Sequence, residues 1–163
     1  LMDGSKGNEL WQLVEEAGEP WGIGPGNPNT TERIESGLLS WGGDTDDHTN
    51  PFEVRMEKYV DLDVPDDVVG IAALRRIKAE GPKRHQLGVV LDTDERVAPQ
   101  AVWNAISVDG RKVGDMTNSA WSIRLERNIG FALVSTGCLA GDSVEVTIDG
   151  ASYQGKLVKL PFL

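Results

Sequence analysis

Two Asp-Gly pairs, Asp109-Gly110 and Asp149-Gly150, constrain the fold of this chain more than any other feature. Each stands between runs rich in Val, Ile, Thr and Tyr. Each suits the two positive-φ positions of a two-residue β-hairpin turn. Around them lie six short β-like runs, at 86–91, 101–108, 112–118, 128–134, 143–148 and 154–160, separated by Gly, Asp and Asn turns. Six strands at this spacing predict a small antiparallel barrel or sandwich.

Before residue 83 the pattern changes, so the chain is expected to be an α+β protein in two parts. An α/β segment spans 1–82 and a six-stranded antiparallel β-barrel-like domain spans 83–163. Leu10, Leu13, Val14 and Ala17 recur at helical spacing, with Asn8 placed to cap the start and Gly18 and Pro20 to end the helix. Pro25 to Pro28 reads as a turn. Asn29 then stands three residues before Glu32, close to a capping box. Ile34, Leu38 and Trp41 form the expected buried stripe of a second helix, with Gly37 inside it and Gly42-Gly43 ending it. Val54 to Leu62 reads as a strand. Pro65-Asp66-Asp67 is expected to open a third helix, whose core face includes Val68 and Ile71, and Gly81-Pro82 to stop it.

A formal charge of −10 on 163 residues argues against nucleic-acid backbones and anionic membrane surfaces as partners, which need clustered Lys and Arg. No apolar run approaches the roughly 18 residues of a membrane span. Cys138 is the single cysteine, so no internal disulfide forms and a reducing, cytoplasmic setting is expected. Cys138 has no neighbouring base in sequence and reads as structural. His48 and His85 lack ligand spacing, so no metal site is expected. Asp44, Asp46 and Asp47 open like a calcium loop, but Thr49 and Arg55 stand where an EF-hand needs Gly and Glu, so a solvated acidic loop is expected. Trp11 and Trp41 read as packing residues. Trp21 and Trp121 sit at turn-like places where an aromatic ring can stack on a flat ligand. Residues alone give a two-part protein without a self-contained catalytic constellation.

The stretch Asn29-Thr30-Thr31-Glu32-Arg33-Ile34-Glu35-Ser36-Gly37-Leu38-Leu39-Ser40-Trp41-Gly42-Gly43-Asp44, with Asn50-Pro51-Phe52-Glu53 after it, resembles the signature of the glycine cleavage T-protein (aminomethyltransferase) family. Gly70-x-x-Ala73-Leu74, Ile129-Gly130-Phe131-Ala132 and Lys159-Leu160-Pro161-Phe162 resemble later landmarks of the same family, in the same order. The resemblance implies one-carbon transfer to tetrahydrofolate. Pro25-Gly26-x-Pro28-Asn29-x-x-Glu32-Arg33-Ile34-Glu35-Ser36, with Lys58-Tyr59-Val60, is similar to the folate-dependent demethylase branch, dimethylsulfoniopropionate demethylase foremost. Asn29 stands where the aminomethyltransferase pattern has Arg, which tilts the expectation toward demethylation of a small methylated sulfonium or methoxy donor. Aminomethyl transfer in glycine cleavage, with a lipoylated carrier protein as partner, is the alternative. A non-catalytic folate-binding or regulatory module is a third. Asn29, Glu53 and Trp121 are the residues expected on the folate wall; Asn29 and Glu32 are equally explained as a helix cap, and Arg33 and Glu35 as surface or interlobe ion pairs. The family's catalytic Asp falls outside this sequence. The chain is therefore expected to be the C-terminal portion of a longer enzyme, with the N-terminal remainder as its partner and a homodimer left open.

Overall fold

The computed structural model describes residues 3–24, 29–100 and 102–163. Six antiparallel strands close into a barrel: β1 (Arg84–Leu91), β2 (Asn104–Val108), β3 (Arg111–Ser122), β4 (Arg127–Ser135), β5 (Ser143–Ile148) and β6 (Ala151–Val158), in the order β1-β4-β3-β2-β5-β6. The ring closes through β6 and β1, where Leu91 faces Gly155 and Gly88 faces Val158. Closure removes the open strand edges that a free sheet would present. Both Asp-Gly pairs form the expected hairpin turns: Asp109 and Asp149 take φ of 49°, with Gly110 and Gly150 at 72° and 82°.

Side chains from all six strands fill the interior, including Val89, Ile106, Met116, Val134, Val146 and Leu157. A second cluster lies on the outer face. There Ile34 of α2 (Thr30–Glu35) meets Ala120, Ile129 and Phe131. This is why seven consecutive residues of β4, from Asn128 to Val134, are buried. One face of the strand looks into the barrel and the other lies under α2. A bulge in β3 shifts the register between Met116 and Asn118, leaving Thr117 unpaired with β4. A bulge re-aims side chains, and Thr117 is spent on a contact described below.

The first half differs from its sequence pattern in several places. The second helix ends at Glu35, two turns earlier than expected. Gly37 takes φ of +74°, its N–H reaches the Ile34 carbonyl and the Leu38 N–H reaches that of Arg33. This is a left-handed helix stop with its paired hydrogen bonds, so Gly37 terminates the helix. Leu38 and Trp41 consequently leave the helical stripe and are exposed, as is Trp11 on α1 (Gly7–Gly18). The expected strand at Val54–Leu62 is absent. Arg55 has φ of +60°, and a 3-10 turn occupies Glu57–Tyr59, where the Tyr59 and Val60 N–H groups bond the Met56 and Glu57 carbonyls. The third helix, α3 (Ile71–Glu80), starts six residues later than expected, after Gly70 at φ of +85°. Arg75 explains the delay: its guanidinium holds the carbonyls of Leu62 and Val64, and Asp66, which fixes the preceding segment outside the helix. Val68, expected in the core, is exposed. The turn at Pro25–Pro28 lies outside the described residues.

Candidate functional site

The stretch from Asn29 to Glu53 lies on the barrel and is fastened to it by three buried carboxylates. Glu35, on α2, accepts a 2.6 Å hydrogen bond from Ser122 Oγ and one of 3.0 Å from Arg124. Asp44 takes three donors: Arg33 Nη1, the Ser40 N–H at 2.8 Å, and Thr117 Oγ1 at 2.9 Å. Glu53 faces Arg84 of β1 through both oxygens, at 2.9 and 3.0 Å, and accepts the Asn50 N–H. These contacts raise the Arg84 pKa above its ordinary value, the hydrogen bond to Glu53 being the main cause. All three acids are almost fully buried. A buried charge needs a partner and hydrogen bonds, and each acid has both. Trp103 adds a fourth tie, donating its indole N–H to the Gly43 carbonyl at 2.6 Å.

One expectation changes and another is narrowed. The acidic loop is not simply solvated: Asp47 is exposed, Asp46 is half-buried and accepts from Thr49 and the His48 N–H, and Asp44 is the anchor. Of the two readings expected for Glu35, the ion pair across the fold is the one found, with Arg124, and Ser122 adds a second donor. Sequence spacing gave no sign of these partners, which lie 87 and 89 residues away. The β3 bulge that delivers Thr117 was equally invisible.

Asn29 caps α2 as expected, its Oδ1 accepting the Glu32 N–H at 2.8 Å. The Glu32 carboxylate lies 3.8 Å from Arg124. Beside the cap runs an open groove of about 580 Å³, lined by Asn29, Thr30, Glu32, Arg33, Ser36, Leu38 and Leu39. Leu38 and Leu39 supply its apolar lining, and amide, hydroxyl, carboxylate and guanidinium groups border it. Trp121 sits at the end of β3, half-buried, paired with Asn128. Its carbonyl accepts the Thr31 hydroxyl at 3.4 Å, so Trp121 and the start of α2 share one corner. The Arg96 guanidinium covers the Trp121 ring at 5.1 Å. Neither Arg96 nor its stacking was expected from sequence. Glu53 is elsewhere. Its partner Arg84 pairs with Ser135, seven residues along β4 from Asn128, roughly 20 Å away at strand rise. The fold thus gathers Asn29 and Trp121 at one corner and leaves Glu53 apart.

Trp21, the other stacking candidate, is exposed at a turn after α1. His85 hydrogen-bonds the Cys138 carbonyl at 2.8 Å, and Cys138 is buried, its thiol pKa pushed up by burial and by Asp142. Among the described residues no group of three or more His, Cys, Asp or Glu is arranged to hold a metal ion. No described helix is long and apolar enough to cross a membrane.

A closed six-stranded barrel, capped by a short helix and a buried acid–base seam, is a specific arrangement. Residues 84–163 match the glycine cleavage T-protein C-terminal barrel domain. Similarity to known proteins also extends through the rest of the chain. An aminomethyltransferase from Nostoc is 34% identical over 164 residues, which is 99% of this chain and 42% of that protein. The mouse mitochondrial dimethylglycine dehydrogenase is 31% identical over 157 residues, 94% of this chain and 18% of that protein. The chain spans less than half the length of these curated relatives. The crystal structure of glycine cleavage system aminomethyltransferase T from Bartonella henselae superposes with a TM-score of 0.68, at 20% identity, covering 80% of this chain and 37% of that one. That likeness concerns the fold.

Proposed function

We propose that this chain is one portion of a tetrahydrofolate-dependent enzyme that moves a one-carbon unit from an amine, in the manner of an aminomethyltransferase. The observation that supports this most is the similarity to aminomethyltransferases along nearly the whole chain, helix cap and barrel together. Aminomethyl groups and dimethylglycine share a one-carbon unit on nitrogen, so the two kinds of relative favour a nitrogen-bound donor over a sulfonium or methoxy donor. Tetrahydrofolate supplies the nitrogens that accept that unit.

The residues present suit such a cofactor. The α2 groove, at about 580 Å³, falls within the range of sites that hold molecules of this size. Leu38 and Leu39 offer apolar contact for a flat ring, and Asn29 and Ser36 offer hydrogen-bonding groups that would fix its orientation. In this reading Asn29 and Trp121 belong to the folate wall, and Arg96 shields one face of the indole. Glu53 serves the wall by holding the Asn50–Glu53 turn against Arg84. The general acid or base and the donor pocket belong to the remainder of the enzyme, with a lipoylated carrier protein as partner.

One observation keeps demethylation as a second reading: Asn29 brings an uncharged amide to the position where the aminomethyltransferase pattern has Arg. Product analysis separates the two. Aminomethyl transfer yields 5,10-methylenetetrahydrofolate, and demethylation yields 5-methyltetrahydrofolate. The test uses the Nostoc enzyme with its matched segment replaced by this chain. Calorimetry is expected to show tetrahydrofolate binding, weakened about tenfold by Asn29→Ala, which removes one hydrogen bond of about 1.4 kcal/mol. No heat of binding at millimolar tetrahydrofolate would sink the proposal.

A further inference from the structure

Among the described residues that line the α2 groove, Glu32 and Arg33 carry the charge, and Arg33 is the cation. Glu32 faces Arg124 at 3.8 Å. The Arg33 guanidinium is mostly buried and is held on its face and on one nitrogen. Its face lies over the Phe131 ring, 5.6 Å from the centroid. Its Nη1 donates to the Leu38 carbonyl at 2.9 Å and to the Asp44 carboxylate. Those contacts fix the plane of the guanidinium before any ligand arrives.

The other edge of the guanidinium is unspent. Among the described residues, the Arg33 hydrogen bonds all leave from Nη1, so Nε–H and Nη2–H have no acceptor. No enclosed side-chain nitrogen among the described residues lacks a partner, so these two donors open onto the groove that Arg33 lines. Nε–H and Nη2–H point the same way and match the two oxygens of a carboxylate. Asp44 orients Arg33 without using this edge, and it shares its own charge with the Ser40 N–H and the Thr117 hydroxyl.

We propose that Arg33 is the carboxylate-binding residue of the groove, holding both oxygens of a ligand carboxylate on Nε–H and Nη2–H. The proposal deepens the reading of the chain as one portion of a tetrahydrofolate-dependent enzyme, and it rests on that reading for the ligand. Two molecules of that reading carry the group: tetrahydrofolate, through its glutamate tail, and an N-methylated amino acid donor, through its acid end. The site suits either. Asn29 offers an uncharged amide, so the positive charge in the groove comes from Arg33. The fork is already oriented, so little side-chain freedom is lost on binding. Leu38 and Leu39 beside it exclude water, which strengthens a charge-assisted pair.

Nitrogen-15 NMR of the 163-residue chain tests this, with barrel amides as the folding control. The Arg33 Nε–H signal is assigned by its loss in Arg33→Lys. It is expected to shift saturably, in the millimolar range, with N-(4-aminobenzoyl)-L-glutamate, which carries the folate tail without the pterin. The diamide of that compound should leave it in place. The Arg75 Nε–H, already bonded to the Leu62 carbonyl, should not move with either. Arg33→Lys keeps a cation for Asp44 but loses the fork, so binding followed on the Asn29 and Ser36 amides should weaken at least tenfold. The comparison of acid with diamide on the unsubstituted chain decides the matter even if Arg33→Lys folds poorly. N-methylglycine is the second arm: a shift with this acid alone assigns the carboxylate to the amino acid donor and removes the folate tail as its source. No shift with either acid overturns the proposal, as do equal shifts with acid and diamide, or unchanged affinity in a folded Arg33→Lys. Tetrahydrofolate binding by the Nostoc enzyme carrying this chain is read separately. Binding there with a silent Arg33 refutes the carboxylate site and leaves the proposed function standing. A responsive Arg33 without tetrahydrofolate binding does the reverse.

Discussion

Replacing Asp44 by Asn removes one charge from a loop with several, yet it should cost far more than any neighbouring change. The Asp44 side chain is fully buried and takes three donors, from Arg33, the Ser40 backbone and Thr117. An amide has one oxygen in place of two and turns N–H donors toward groups that are themselves donors. Breaking a buried pair by removing one partner costs about 3–5 kcal/mol. Arg33 is 21% exposed and keeps its bond to the Leu38 carbonyl, so it is not left stranded, and the low end applies. The expected loss is about 3 kcal/mol, which for a protein of this size lowers Tm by roughly 6–12 °C. Urea titration followed by circular dichroism measures it. Tryptophan fluorescence gives a local signal, because Trp103 donates to the Gly43 carbonyl in the same loop. The control is Asp47→Asn, an exposed acid three residues away, expected to change stability by under about 0.5 kcal/mol. A cycle with Thr117→Val should show coupling of about 1 kcal/mol or more. If Asp44→Asn and Asp47→Asn prove indistinguishable, the acid seam does not hold the loop and the reasoning fails.

Other outcomes follow from the same contacts. Gly37→Ala forces a side chain onto φ of +74°, with Arg55 Nη2 3.1 Å from the new Cβ, and should destabilise by about 1–2 kcal/mol in urea melts; an unchanged midpoint would contradict the helix-stop role. The Asp46 carboxyl has a pKa held below the ordinary Asp value, chiefly by the Thr49 hydroxyl. The folded state therefore binds a proton there less readily than the unfolded one. Its stabilising contribution is complete above the ordinary Asp range and is lost as pH falls through the depressed folded value. An NMR titration of the Asp46 side chain should show the low midpoint, and Thr49→Val should return it toward normal; a midpoint that ignores the substitution would refute this assignment.

The barrel was legible in the sequence because its signals are local. Two Asp-Gly turns and runs of alternating residues fix hairpins within a few positions, and the observed strands differ from expectation mainly at their ends. The Asn29 cap was legible for the same reason, since its partner is three residues away. The errors fall where local pattern competes with a distant contact. Helical spacing places Gly37 inside a helix, whereas its positive φ ends that helix. Pro65 to Asp67 carries the pattern of a helix start, but Arg75 holds the carbonyls of Leu62 and Val64 and keeps that segment out of the helix.

By itself, then, the sequence determined the strands, their turns and the cap on α2, each set by backbone chemistry within a few residues. Only the tertiary structure decided which acids matter. Asp44 and Asp47 are the same residue type in the same loop, and what separates them is the β3 bulge that aims Thr117 at one and not the other. Glu35 became a buried anchor because α2 packs on β3, at whose end Ser122 and Arg124 meet it from nearly ninety residues away. A carboxylate is tolerated in the interior only where donors converge, and here that convergence needs side chains of the barrel as well as those of the stretch that carries the acids.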